Sequence, residues 1–134
     1  MFMLSLGPGM SLGFPDVCKT PVLGVPVPLP YPDMSFSATS EPMADNVLIE
    51  CTPALNQVSL GLVSAGDDAG VQMGLISEDI SGETVYVVGC ITVLVDCIPA
   101  QRLTSVTGQN AMGVLPNAPG VCICPSQVTV LALG

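Results

Sequence analysis

Val47-Leu48-Ile49-Glu50-Cys51-Thr52-Pro53-Ala54 returns 46 residues later as Val93-Leu94-Val95-Asp96-Cys97-Ile98-Pro99-Ala100. Five of the eight positions are identical, and Ile/Val and Glu/Asp are conservative exchanges. A four-residue echo means little in a Val/Leu-rich chain, but an acidic-Cys-x-Pro-Ala echo marks an internal repeat. A truncated third copy stands near the end of the sequence, where Thr129-Val130-Leu131 matches Thr92-Val93-Leu94 at an offset of 37. One copy is too short to bury a core, whereas three around a common axis bury one jointly. The expectation is an all-β fold: a compact domain with three related β-repeats and pseudo-threefold symmetry. Such a chain suits a homotrimeric partner, because it offers three similar faces to three subunits.

Around the repeats, residues 46–134 read as β. Residues 85–88 and 91–95 are β-branched runs separated by Gly89-Cys90, and residues 128–133 form another. Gly, Pro, Asn and Asp fall between the runs, as turns require. Asp67-Asp68 followed by Gly70 reads as a loop or a short helical turn. Residues 1–45 hold most of the prolines and few strand signals. Their Pro21-Val22-Leu23-Gly24-Val25-Pro26-Val27-Pro28-Leu29-Pro30-Tyr31-Pro32 stretch is predicted to be extended and excluded from a sheet interior, since proline fixes φ and removes a donor. It reads as a belt across the surface, or as a flexible linker. The expected organisation is one domain: a Pro-rich segment, 1–45, packed on a β-repeat region, 46–134.

Composition narrows the function. The 134 residues carry 2 Lys+Arg against 11 Asp+Glu, a formal charge of −9, and no His or Trp. Two cations cannot neutralise a row of phosphates, which excludes nucleic-acid binding, and a basic membrane-surface helix falls with it. Without histidine there is no His triad, His base or His metal ligand. Half of the chain is hydrophobic (49%) and only 10% is charged, so a disordered acidic chain is excluded as well. The balance describes a compact domain with an apolar surface, hence a part of an assembly that is poorly soluble alone. No run of about 18 apolar residues suggests a spanning helix. The apolar start lacks the charged beginning of a signal peptide, so the protein is expected to fold in the cytoplasm and, if it leaves the cell, to do so by another route.

Few residues suggest chemistry. The six cysteines Cys18, Cys51, Cys90, Cys97, Cys122 and Cys124 read as reduced thiols that pack as small hydrophobes. The matched repeat positions of Cys51 and Cys97 point to packing for both. Cys90, Cys97, Cys122 and Cys124 are the best candidates for a Cys-only zinc site, with spacings that depart from the usual Cys-x₂₋₄-Cys. Asp67, Asp68, Glu78, Asp79 and Glu83 are read as solvated loop acids; the other reading is a carboxylate cluster. Lys19 beside Cys18 offers a route to a lowered thiol pKa, without a base or second cysteine to use it. Arg102 is expected to form an ion pair or to bond carbonyls at a strand end. Tyr31 is expected to anchor the Pro-rich segment through its ring and hydroxyl. No catalytic residue, cofactor or bound metal is expected.

The motifs resemble one known family. Phe14-Pro15-Asp16-Val17-Cys18-Lys19-Thr20-Pro21 and then Pro26-Val27-Pro28-Leu29-Pro30-Tyr31-Pro32-Asp33 are similar to the N-terminal signature of the PAAR-like domains of bacterial type VI secretion. Gly66-Asp67-Asp68-Ala69-Gly70, Gly74, Ser77, Pro99-Ala100-Gln101-Arg102-Leu103-Thr104, Ala118-Pro119-Gly120 and Pro125-Ser126-Gln127 continue it in order, over residues 14–134. The resemblance implies a β-cone that caps the tip of a trimeric VgrG-type spike, one copy per trimer, sharpens it and couples effectors to it. It implies synthesis in the bacterial cytoplasm and injection through a contractile tail, with no reaction of its own and only transient contact with a target membrane. With no toxin domain following Gly134, an effector or chaperone is expected to bind non-covalently. PAAR tips hold a metal through His and Cys; this chain has no His, and Thr107-Gly108-Gln109-Asn110 occupies a loop where relatives often carry one. The alternatives are the tip of a phage tail or another contractile particle, and a small secreted cysteine-containing toxin or enzyme.

Overall fold

A computed structural model describes residues 1–134. The chain is all-β, as the repeat predicts, with one 3₁₀ turn at Ser37–Thr39. The strands are β1 (Met10–Val22), β2 (Val25–Phe36), β3 (Ser40–Glu41), β4 (Ala44–Ile49), β5 (Thr52–Ala54), β6 (Leu60–Gly61), β7 (Ser64–Ala65), β8 (Glu83–Val88), β9 (Cys90–Val95), β10 (Ile98–Ala100), β11 (Val106–Met112) and β12 (Leu115–Cys124). Eight form one sheet in the order β3-β6-β8-β11-β12-β1-β2-β7, while β4–β5 and β9–β10 are separate antiparallel hairpins.

The Pro-rich segment is extended, and it is a strand. β1 and β2 pair antiparallel from Met10↔Phe36 to Val22↔Val25, so residues 1–45 hold the longest strands of the molecule rather than few. The proline spacing explains how. A strand points successive N–H groups to opposite edges. Pro26, Pro28, Pro30 and Pro32 all share one parity, and Pro26 faces Pro21, a pair with no N–H to exchange. The missing donors therefore fall on the edge away from β1, where β7 covers only Met34 and Ser35. The other parity turns inward, and Tyr31 closes on Thr20 through a 2.6 Å hydroxyl contact, the anchoring role expected of it.

Thr107-Gly108-Gln109-Asn110, expected as a loop, lies inside β11 between β8 and β12. The ladder shifts register there, and Asn110 takes a φ of 49°. Residues 128–133, expected as a strand, form only a bridge: Leu131 faces Phe2, with Met3 N–H donating to Val130 O (2.9 Å) and Ala132 N–H to Met1 O (2.8 Å).

The two full repeats are hairpins of one design. β4–β5 and β9–β10 have the same alternation of buried and exposed positions. Each turns through two left-handed residues, Glu50 (φ 51°) and Cys51 (65°) in one, Asp96 (52°) and Cys97 (63°) in the other, the geometry of a type I′ turn. Cys51 and Cys97 are exposed there. Their packing role is thus corrected: a central residue of a two-residue turn points away from both strands.

Residues 2–6, 53–57 and 99–103 meet edge to edge. Leu4 N–H donates to Gln101 O (2.8 Å), Gln101 N–H to Leu55 O (3.0 Å) and Leu55 N–H to Leu4 O (3.0 Å), a closed ring. A second set closes in the opposite sense: Leu6 N–H donates to Pro53 O (2.8 Å), Gln57 N–H to Pro99 O (2.9 Å) and Leu103 N–H to Phe2 O (2.8 Å). Leu131 faces Phe2 as Leu48 faces Pro53 and Leu94 faces Pro99. Side chains in matching positions share one core: Met3, Ala54 and Ala100; Ile49, Val95 and Ala132; Ala44 and Cys90. Small residues dominate because three backbones approach closely there.

Beyond this core the interior is largely polar, lined by Ser, Thr, Asn, Gln and Asp, while many Val, Leu and Ile side chains face outward. Gln101 is fully buried, and neither atom of its amide has a partner. Leu4 and Leu55 hold the matching places in the ring. Gln101→Leu therefore removes two unpaired polar atoms at nearly constant volume. It is expected to stabilise the fold by about 1–3 kcal/mol; an unchanged or lower melting temperature in calorimetry would refute the assignment of that amide as unpaired.

Candidate functional site

Away from the ring, four motif residues converge inside the large sheet. Asp16 and Cys18 lie two apart on β1, so they share a face. The β1–β2 register slips between Gly13 and Asp16, which turns the even-numbered residues inward after Ser11 and Gly13 have pointed in. Asp33 enters from β2, opposite Gly13. Asp67 enters from the loop after β7. All four are fully buried.

One ligand-type atom each from Asp16, Cys18 and Asp67 lie within 4.8 Å of one another. Cys18 Sγ stands 3.6 Å from Asp16 Oδ1 and 3.8 Å from Asp67 Oδ2. Two asparagines brace the group. Asn117 Nδ2 donates to Asp16 Oδ1 and to Val17 O (3.0 Å), and its Oδ1 accepts from Ile76 N–H (2.8 Å). Asn110 Nδ2 donates to Asp79 O (3.1 Å) and faces Cys18 Sγ at 3.7 Å, while its Oδ1 accepts from Gly82 N–H (3.1 Å). Ser81 donates its N–H (3.0 Å) and hydroxyl (3.3 Å) to Asp67. Asp16 Oδ2 and both carboxylate oxygens of Asp33 have no partner.

The electrostatics are one-sided. Burial pushes the Cys18 thiol up to about 12, with the charges of Asp16 and Asp67 adding to it. This is the reverse of activation by Lys19. Burial likewise raises Asp16; the Asn117 hydrogen bond opposes this and the charge of Asp67 adds to it. Asp33 is pushed up to about 7, mainly by burial. The Ser64 hydroxyl and Met34 N–H offset part of that rise, yet neither reaches hydrogen-bond geometry, so both oxygens stay unpartnered. The two side-chain cations bring no relief. Arg102 bonds Gly134 O (2.6 Å) and Ala132 O (3.4 Å), the carbonyl role expected of it. Lys19 is not among the groups acting on these acids.

Two expectations change. Asp67 is not a solvated loop acid, because the turn at Gly66 folds it under β2; Asp68 and Glu78 remain exposed. Cys90, Cys97, Cys122 and Cys124 do not converge. Cys90 opens β9 and Cys97 lies in the turn beyond its end, about 20 Å along an extended chain. Cys122 is buried, Cys124 exposed. A Cys-only zinc site, or one built on His, does not fit this chain; the group that can take a cation is Asp16, Cys18 and Asp67.

Sequence reading passed over Asp16, Asp33, Asn110 and Asn117 as site residues. The signal was the i, i+2 spacing of Asp16 and Cys18, and the parity that puts Asp33 on the inward side with Tyr31.

Fold and site define a small all-β domain whose sequence motifs converge on one buried acidic cluster. The chain belongs to the Toxin PAAR-like domain family: that family's model matches residues 9–116, which include Asp16, Cys18, Asp33, Asp67 and Asn110. Comparison with curated proteins and with solved structures finds no match.

Proposed function

We propose that this PAAR-like domain is a spike-tip protein that caps a trimeric VgrG-type spike of a type VI secretion system, one copy per trimer. The observation that carries the reading is the closed ring of backbone hydrogen bonds among residues 2–6, 53–57 and 99–103. We read its centre as a pseudo-threefold axis relating the three repeats. Leu48, Leu94 and Leu131 hold matching positions around it, and all three are exposed, at 62%, 56% and 50%. Three like apolar edges on one chain match three subunits of a trimer, as a single edge does not. The β1–β2 turn at Leu23–Gly24 stands in open space and has no such counterpart. On this reading the face carrying these three leucines meets the spike and covers its open strand edges.

The function is mechanical. The chain is made in the bacterial cytoplasm, joins the tail there, and is driven out with the spike. Effectors or their chaperones travel with it.

Co-purification with the C-terminal part of a trimeric spike, weighed by light scattering, tests this. One chain per trimer is expected. The Leu48→Asp, Leu94→Asp, Leu131→Asp triple variant is expected to lose binding while keeping its circular dichroism spectrum. Three chains per trimer, or unaltered binding by the folded triple variant, would overturn the reading.

A further inference from the structure

We propose that Asp16, Cys18 and Asp67 form a buried site for one divalent cation of the zinc type. Three features carry the assignment. The first is geometric. Zinc takes sulfur at about 2.3 Å and carboxylate oxygen at about 2.0–2.2 Å in a tetrahedral shell, which sets neighbouring S and O ligands about 3.5 Å apart. Cys18 Sγ already lies 3.6 Å from Asp16 Oδ1 and 3.8 Å from Asp67 Oδ2, so an ion enters with small side-chain rotations.

The second is the absence of any other compensation. Asp16 Oδ2 is buried in the cluster with no hydrogen bond, and the oxygens of fully buried Asp33, within electrostatic reach of Asp16 and Asp67, have none either. A buried carboxylate that stays ionised is paired or binds metal; one left alone takes up a proton instead. No protein cation supplies the pairing, since Arg102 is engaged with Ala132 and Gly134.

The third is the outer layer. Asn117 donates to Asp16, Asn110 faces the Cys18 sulfur, and Ser81 donates to Asp67. Each ligand is held by a neutral donor, as metal ligands are. The thiol selects the cation: sulfur favours zinc-class ions over magnesium or calcium. Binding expels the Cys18 proton to solvent and leaves the thiolate on the metal. All three ligands are fully buried, and Gly70, on the covering loop, has no room for a Cβ beside Cys18. The ion is therefore taken up as the chain folds rather than through an open mouth.

The test uses the intact chain. Refolded with Co²⁺, it is expected to show one equivalent of metal and a sulfur-to-cobalt charge-transfer band. The band should survive in the Cys51→Ser, Cys97→Ser, Cys124→Ser variant, which removes the exposed thiols. It should disappear in Cys18→Ser. Asp67→Asn should weaken zinc by at least the roughly 10–100-fold that loss of an outer partner alone produces. Zinc should raise the melting temperature of the wild type, and excess Ca²⁺ should not displace it. Absence of the band from the wild type, its loss with the exposed thiols alone, or preference for Ca²⁺ would each overturn the proposal. If Cys18→Ser does not fold, the Cys90→Ser, Cys122→Ser variant decides: it removes the other two buried thiols, the band should survive in it, and loss of the band there would overturn the assignment to Cys18.

Discussion

Held in chelator, the protein is expected to be more stable at pH 5 than at pH 8, the reverse of ordinary acid denaturation. The cause is Asp33, whose carboxyl rises from 3.8 to about 7 on burial. Below about pH 4 the group is protonated in both the folded and unfolded chains, and folding meets no penalty. Between about 4 and 7 the unfolded chain ionises while the folded one keeps its proton, so stability falls as pH rises. Above 7 both are ionised and the loss is complete. At about 1.4 kcal/mol per pKa unit the total is about 4 kcal/mol. Asp16 is raised as well and adds in the same direction.

Asp33→Asn isolates the effect. The amide has nearly the same shape and no charge at any pH, so the variant is expected to lose most of the slope and to exceed the wild type at pH 8. Urea midpoints at pH 5 and pH 8, with chelator throughout, make the comparison. A wild-type midpoint that rises with pH would show that Asp33 is compensated in solution.

The all-β class was legible because the repeat is a hairpin, and a hairpin of this length leaves its mark within eight residues. The long β1–β2 pair was not, because proline counts against strands unless its parity is followed along the chain: four prolines on one edge leave the other edge intact. β11 was hidden for a different reason. Its Thr-Gly-Gln-Asn stretch is polar because it faces a polar interior, and strand signals assume an apolar one. The partner of residues 128–133 was out of reach too, since Leu131 meets Phe2 from the far end of the sequence. The buried site was half legible. Asp16, Cys18, Asp33 and Asp67 all lie in the quoted motifs, but only the fold brings 16, 18, 33 and 67 together. An acid in a Gly-rich loop ordinarily reads as solvated; for Asp67 the glycines instead let the loop press against β1 and β2.

Gly66 makes that approach possible, and Gly66→Ala is expected to be among the most damaging single changes in the chain. Its φ of 131° lies outside the range that residues with a Cβ readily adopt, and an added Cβ would overlap the carbonyl oxygen of Pro32. That atom is backbone in a paired strand and cannot rotate aside, so the loop must move. Strain of the left-handed type alone costs about 1–3 kcal/mol; with the steric term the loss is expected to exceed about 4 kcal/mol, the range reserved for specific structural breaks. Gly24→Ala is the control. Gly24 also has a positive φ, 83°, but an added Cβ there meets nothing within 4 Å, so only the strain of about 1–2 kcal/mol applies. The two variants also separate at the buried site. Moving the loop at Gly66 displaces Asp67 from Cys18, so Gly66→Ala is expected to lose the cobalt band even where enough folded protein remains to measure it. Gly24→Ala keeps it. Equal stability losses in the two variants would mean that the 66–70 loop yields without cost, and that Asp67 is not held in place by its contact with β2.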